Sequence, residues 1–287
     1  MKIKITTDST CDLTADIIKD YEIETMPLAV NMGDNSYLDG VDIKPSDIYE
    51  YFDKTGEVPT TGARSPEDFK DFFKKITDEG YEVVHIGIGA DLSCCFNNIQ
   101  IAAQDLKGVY LVDSQSLSTG TGLLVMYAAD LAKTGKYTAE QIAQKVKERA
   151  PFVQASFVIE NLKFLHKGGR CSMLAMLGAN ILRLKPSIHV KDGKNTVGKK
   201  YMGNMISCIK KYVEDVLAEN NNPDHTRVMI TYSTATQEML DAAKSVLDSY
   251  GKFKQIIFTQ AGSVINSHCG KNTLGVLYIN DGDEGHE

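Results

Sequence analysis

No stretch of this chain approaches the roughly 20 consecutive apolar residues that a membrane-spanning helix needs, so no spanning helix is expected. The opening residues MKIKITTDST enter a strand-like alternation at once and lack the apolar core of a secretory signal. The six cysteines (Cys11, Cys94, Cys95, Cys171, Cys208 and Cys269) contain no CxxC pair, and two of them are adjacent. That spacing fits neither a zinc site nor a disulfide framework. A cytoplasmic protein with reduced thiols and no metal or cofactor is therefore the expectation. There is no excess of positive charge either. Thirty-one Lys and Arg stand against 38 Asp and Glu, a net charge of −7, which argues against nucleic acid as the partner. Tryptophan is absent, and that absence excludes nothing. No low-complexity linker or internal repeat interrupts the chain.

What is present suits a globular protein. The 287 residues, 43% of them hydrophobic and 24% charged, make one large α/β domain or two smaller ones. The first half alternates strand-like runs (KIKITTDS, ETMPLAVNM, YEVVHIGI, GVYLVD) with helical ones. The clearest helix is RSPEDFKDFFKKITDEG, where Ser65 can cap, Pro66 opens the first turn, and Phe69, Phe72, Phe73 and Ile76 share a face. Thr138 and Gln141 form a capping-box pattern before another helix, which Pro151 ends. We place a boundary there, giving domains 1–150 and 151–287. The second half reads as a strand, a hairpin turning at Asp192-Gly193, a helix over Met205–Glu219, and further strands around the helix TQEMLDAAKSVLDSY. The expected fold class is α/β, as two α/β domains with a ligand cleft or tunnel at and behind their interface.

Several strand ends carry hydroxyls. In HIGIGADLSCCFNN a strand ends near Gly89 and a helix begins near Ser93 or Cys94, the kind of place where helix amides meet anions. The stretch is neither a GxGxxG fingerprint nor a GxSxG elbow, and Ser93 as a plain helix cap is the simpler local reading. VPTTGARS offers Thr60 and Thr61 in a turn, TTDSTCDL offers Asp8 and Ser9, and VDSQSLSTGTG offers Ser114 and Ser116. Arg170, in HKGGRCS, carries a guanidinium suited to a carboxylate or phosphate, or to solvent. His268 sits in a Gly- and Ser-rich stretch read as a loop. Met173 and Met176, beside Leu177, suit a flexible apolar ligand or an ordinary core.

Taken in order, TDSTCDL, PTTGARSPEDF, LSCCFNNIQIA, VDSQSLSTGTGLLV, LKFLHKGGRCS, LGANILRLKPSIHVKDGK and HCGKNTLGVLY make the chain resemble, nearly end to end, the DegV family of bacterial fatty-acid-binding proteins. The resemblance implies two α/β domains and a non-enzymatic role. The protein would bind a long-chain fatty acid and present it to a fatty acid kinase subunit, which makes acyl phosphate for phospholipid synthesis. It also implies that Thr61 and Ser93 hold the fatty-acid carboxylate and that Arg170 and His268 belong to the surrounding polar network. Asp8, Ser9, Ser114 and Ser116 become candidates for the cleft lining, and Met173, Met176, Leu177 and Ile265 for the acyl-tunnel wall. The chain departs from the family's usual Ser-Gly-Thr-Tyr at Ser93-Cys94-Cys95-Phe96. Two other readings stay open. One is a serine-dependent acyl hydrolase or transferase using Ser93 and His268, which needs a hydrogen bond between them. The other is a sensor of another anionic lipid.

Overall fold

A computed structural model describes residues 2–170 and 184–283. The first half is built on a parallel sheet. Its elements open with β1 (Lys2–Asp8), α1 (Ala15–Asp20), β2 (Glu24–Met26), β3 (Ala29–Met32) and β4 (Asn35–Leu38). They continue with α2 (Pro45–Thr55), β5 (Thr60–Gly62), α3 (Pro66–Asp78), β6 (Tyr81–Gly87) and α4 (Cys95–Ala103). β7 (Val109–Asp113), α5 (Thr119–Thr134) and α6 (Ala139–Arg149) complete it. The main sheet runs β2-β1-β6-β7, all parallel. Such sheets are covered on both faces, and here α3 and α4 cover one face while α5 and α6 cover the other. Phe69 and Phe73 of α3 are fully buried, each contributing about 1.5–3 kcal/mol by leaving water. Ser65 and Thr138 cap their helices through reciprocal side-chain bonds, as the sequence indicates.

ETMPLAVNM is not one extended stretch. Pro27 has no N–H to continue a ladder, and the chain leaves the main sheet after Met26. It then forms a separate antiparallel sheet, β4-β3-β5. This small sheet carries Thr61 on a strand rather than in a turn.

The second half comprises β8 (Val153–Val158), α7 (Lys163–Lys167), β9 (Leu184–Lys191), β10 (Lys194–Met202) and α8 (Met205–Glu219). After these come β11 (Val228–Tyr232), α9 (Gln237–Tyr250), β12 (Ile256–Gln260), α10 (Ser263–Cys269) and β13 (Leu274–Ile279). Their sheet runs β10-β9-β8-β13-β11-β12, antiparallel except for β11 with β12. The hairpin turns at Asp192-Gly193, both at positive φ. α8 and α9 pack on one face. The other face, through Ala155, Met229, Leu277 and Ile279, shares a core with α5 and α6.

Among the described residues no strand is shared between sheets built before and after residue 150, yet the cores cross that line. Phe164 and Val264 are buried among first-half residues. The reason is α10. Its sequence, SVINSHC, is poor in helix formers and by itself predicts a loop. Two carboxylates from the first half cap it instead. The amide of Gly262 donates to Asp12 Oδ1 at 2.7 Å, and that of Ser263 donates to Asp39 Oδ1 at 2.7 Å. Tyr49 donates to Asn266. Tertiary contacts thus make a helix of a sequence that would not form one alone.

Candidate functional site

A cavity lies between the two halves, floored by β8, β11 and β13 and flanked by β5, the start of α4, α7 and α10. Leu28, Ile88, Leu92, Leu165, Val264 and Ile265 supply apolar wall. No Asp or Glu is among the described lining residues.

Thr61, Ser93, Arg170 and His268 all line this cavity. Thr61 Oγ1 and His268 Nε2 are 2.9 Å apart. Burial, with a smaller contribution from the Arg170 charge, pulls the imidazole pKa down to about 4, so the ring is neutral at neutral pH. Ser93 Oγ accepts from the Cys95 amide at 3.2 Å. Ser93 precedes the cap position, which is Cys94, and its bond from the first helical amide uses a lone pair and leaves the hydroxyl proton available. Arg170 is exposed at the lip, where its NH1 donates to the Gly168 carbonyl at 2.9 Å. Asn195, which the sequence did not single out, also lines the cavity. Its Nδ2 donates to the Arg170 carbonyl at 3.0 Å. Asn195 Oδ1 and His268 Nδ1 are buried without a hydrogen-bond partner among the described residues.

The lining holds other hydroxyls, and they behave differently. Thr10 donates to Asp8, Ser118 donates to Asp12, and Thr231 lies between Thr119 and Thr259. Ser156 Oγ meets Tyr212 at 2.9 Å, Ser233 accepts from the Thr273 amide at 3.0 Å, and Thr273 donates to the Cys269 carbonyl at 2.9 Å. Thr10, Ser118 and Thr273 place their protons on protein acceptors, Ser156 and Thr231 sit within hydroxyl–hydroxyl pairs, and Ser233, like Ser93, accepts from a backbone amide. The cavity thus has largely apolar walls and a polar cluster where Thr61, His268 and the Arg170-bearing turn meet, with Ser93 also on its lining.

Asp8, Ser9, Ser114 and Ser116 are absent from the described lining. They stand one layer behind it. Asp8 accepts from the amides of Thr10 and Ile88, Ser9 accepts from the Leu28 amide, and Ser114 meets Thr121 and the Ser116 carbonyl. The Asp8, Ser9 and Ser114 side chains fix the strand ends that shape the cleft, whereas Ser116 contributes its carbonyl and its Oγ is buried without a partner among the described residues. Ile265 does line the cavity. Met173, Met176 and Leu177 lie outside the described residues. Ser93 and His268 share no hydrogen bond among the described residues. The imidazole Nε2 faces Thr61, and no described carboxylate bonds Nδ1.

Fold and cavity together define a class, two-part α/β proteins whose interior cleft has apolar walls and one polar end. The chain belongs to the DegV family. Residues 2–281 match that family, described as "Uncharacterised protein, DegV family". A DegV domain-containing protein of Clostridium acetobutylicum is 33% identical, covering 97% of this chain and 98% of the relative. Among solved structures, a DegV family protein from Thermus thermophilus, described for its fatty acid binding, superposes with a TM-score of 0.90. It is 28% identical, over 98% of this chain and 100% of that one. A stearic acid-binding protein from Eubacterium ventriosum superposes with a TM-score of 0.85 at 25% identity, over 98% of each chain. Among the described residues, no helix is long and apolar enough to cross a membrane, and no cluster of His, Cys, Asp and Glu could hold a metal ion.

Proposed function

We propose that this protein binds a long-chain fatty acid. Its carboxylate is held by the Thr61 and Ser93 hydroxyls beside Arg170, and its acyl chain runs along the walls that include Ile88, Leu92 and Ile265. The observation that carries this reading is the partition of hydroxyls. Most of those along the walls are engaged by hydroxyls, carboxylates or carbonyls of the protein, whereas Thr61 and Ser93 accept one bond each and can still donate. A guanidinium stands beside them, with no described lining carboxylate to neutralise it. That is the complement of one anionic head on a greasy tail. The fatty-acid binding described for the Thermus and Eubacterium proteins supports the same reading.

The energetics fit the division of labour. Burying each methylene contributes about 0.8 kcal/mol, so a long chain supplies on the order of 10 kcal/mol before association and ordering costs. The head must be paired because a bare buried carboxylate is expensive. Thr61 can meet that need only if it accepts from His268 Nε2–H, which leaves its own proton for the ligand. His268 is then an orienting group, and its neutral state is the one required.

The family resemblance extends the proposal. The bound acid is presented, head outward, to a fatty acid kinase that forms acyl phosphate for phospholipid synthesis, with this chain contributing binding and no chemistry. Arg170 at the lip suits a head group that a partner must reach. A displacement assay with a fluorescent fatty acid tests the binding half. The expected result is competition by palmitate or oleate that Ser93→Ala weakens, and unchanged affinity in that variant removes Ser93 from the site. Kinase-dependent acyl phosphate formation from the preformed complex tests the second half. Turnover of acyl esters by the protein alone, abolished by Ser93→Ala, would favour the hydrolase reading instead.

A further inference from the structure

We propose that Gly168 is a positioning residue for the polar end of the cavity. Its lack of a side chain lets the Arg170-bearing turn seat directly on the His268 ring, and so holds that ring against Thr61. The consequence for fatty-acid affinity rests on the function proposed above, whereas the contact itself does not.

Gly168 and Gly169 are adjacent and serve opposite needs. Gly169 lies at φ +67° with nothing within 4 Å of where a Cβ would stand, so its backbone conformation is what calls for glycine. Gly168 has ordinary right-handed angles, φ −73° and ψ −10°, which any residue adopts. It closes α7, where helix propensity favours alanine over glycine by roughly 1 kcal/mol. Nothing in its own backbone explains it. Its surroundings do. A Cβ on Gly168 would fall far inside contact distance of His268 Nδ1, 3.1 Å from Cε1 of the same ring, and 3.2 Å from the Phe164 carbonyl oxygen.

The ring is held on its far side. Nε2 is bonded to Thr61 Oγ1 at 2.9 Å, and α10, which carries it, is fixed at its first turn by Asp12 and Asp39. The turn is held as well. The Gly168 carbonyl accepts from Arg170 NH1, and the Arg170 carbonyl accepts from Asn195. An added methyl must therefore either push the imidazole off Thr61 or lift α7 and its following turn, carrying Arg170 away. Both outcomes disorder the groups that meet the carboxylate, although the methyl touches no ligand.

The experiment is a double-mutant cycle of Gly168→Ala and His268→Ala, read by displacement of a fluorescent fatty acid and by 15N imidazole NMR of the ligand-free protein. Gly168→Ala alone should weaken binding about tenfold or more, the scale of coupling between residues in contact. It should also move the His268 imidazole signals. In the His268→Ala background the same substitution should cost little, because the ring it strikes is gone. If the Gly168→Ala substitution permits folding only in that background, the coupling is the one proposed. Wild-type affinity in Gly168→Ala, an equal loss in both backgrounds, or failure to fold in both would overturn it. If the wild-type protein binds no fatty acid, the functional reading fails, and the NMR arm still decides whether Gly168 holds the ring.

Discussion

Thr61 meets two demands with one oxygen. It must accept from His268 and donate to the ligand, and only the Nε2–H tautomer of a neutral ring allows both. Because burial and Arg170 hold the pKa down to about 4, 15N NMR should find His268 neutral, with its proton on Nε2, throughout pH 6–8. A titration near the ordinary 6.5 or an Nδ1–H tautomer would contradict this. Thr61→Val keeps the shape and removes the oxygen, so fatty-acid affinity should fall roughly tenfold or more, the scale of a hydrogen bond to a charged group. An unchanged dissociation constant in the displacement assay would exclude Thr61. At this scale the sequence was informative where residues form short motifs. Thr61, Ser93, Arg170 and His268 sit in segments that resemble a known family, and all of them line one cavity. The engaged wall hydroxyls were not legible. The partners of Ser118 and Thr231, Asp12 and Thr119, lie 106 and 112 positions away, and no local pattern encodes such pairs.

α10 is the element on which the two halves meet. Its first amides are received by Asp12 and Asp39, and its last turn presents His268. Burial pushes the Asp12 carboxyl from its ordinary 3.8 up to about 8, and burial raises Asp8 and Asp39 as well. The folded protein therefore holds more protons on these groups than the unfolded chain does above the ordinary carboxylate range. Stability should be fullest below about pH 4 as far as these acids are concerned, and should decline as pH rises toward 8. Asp12→Asn keeps an acceptor for Gly262 and removes the titration, so urea unfolding at pH 5, 6.5 and 8 should show a shallower decline in that variant. An identical slope in both proteins would rule Asp12 out as a source. The helix escaped the sequence reading for a physical reason. SVINSHC has weak intrinsic propensity, and its caps come from residues more than 200 positions earlier. Elements with local caps, such as α3 under Ser65 and α6 under Thr138, were legible at once.

For the molecule as a whole, the cavity is made by both halves and belongs to neither. Two of its walls come from strands of separate sheets, and hydrophobic clusters run across the line between them. The α/β alternation and the longer strands and helices could be read from periodicity, whereas the short elements β4, β5, α7 and α10 could not, and the crossing cores depend on how the sheets face one another. A ligand spanning both halves should also tie them together. Saturating fatty acid should raise the thermal midpoint, as any ligand bound only by the folded state does. The most direct test of the account is native mass spectrometry of the protein purified from a bacterial host, followed by exchange with added palmitate or oleate. One fatty acid per chain is expected, either carried through purification or taken up on addition, with a weaker complex in Ser93→Ala. A folded protein that arrives free of lipid and takes up none when offered would contradict it.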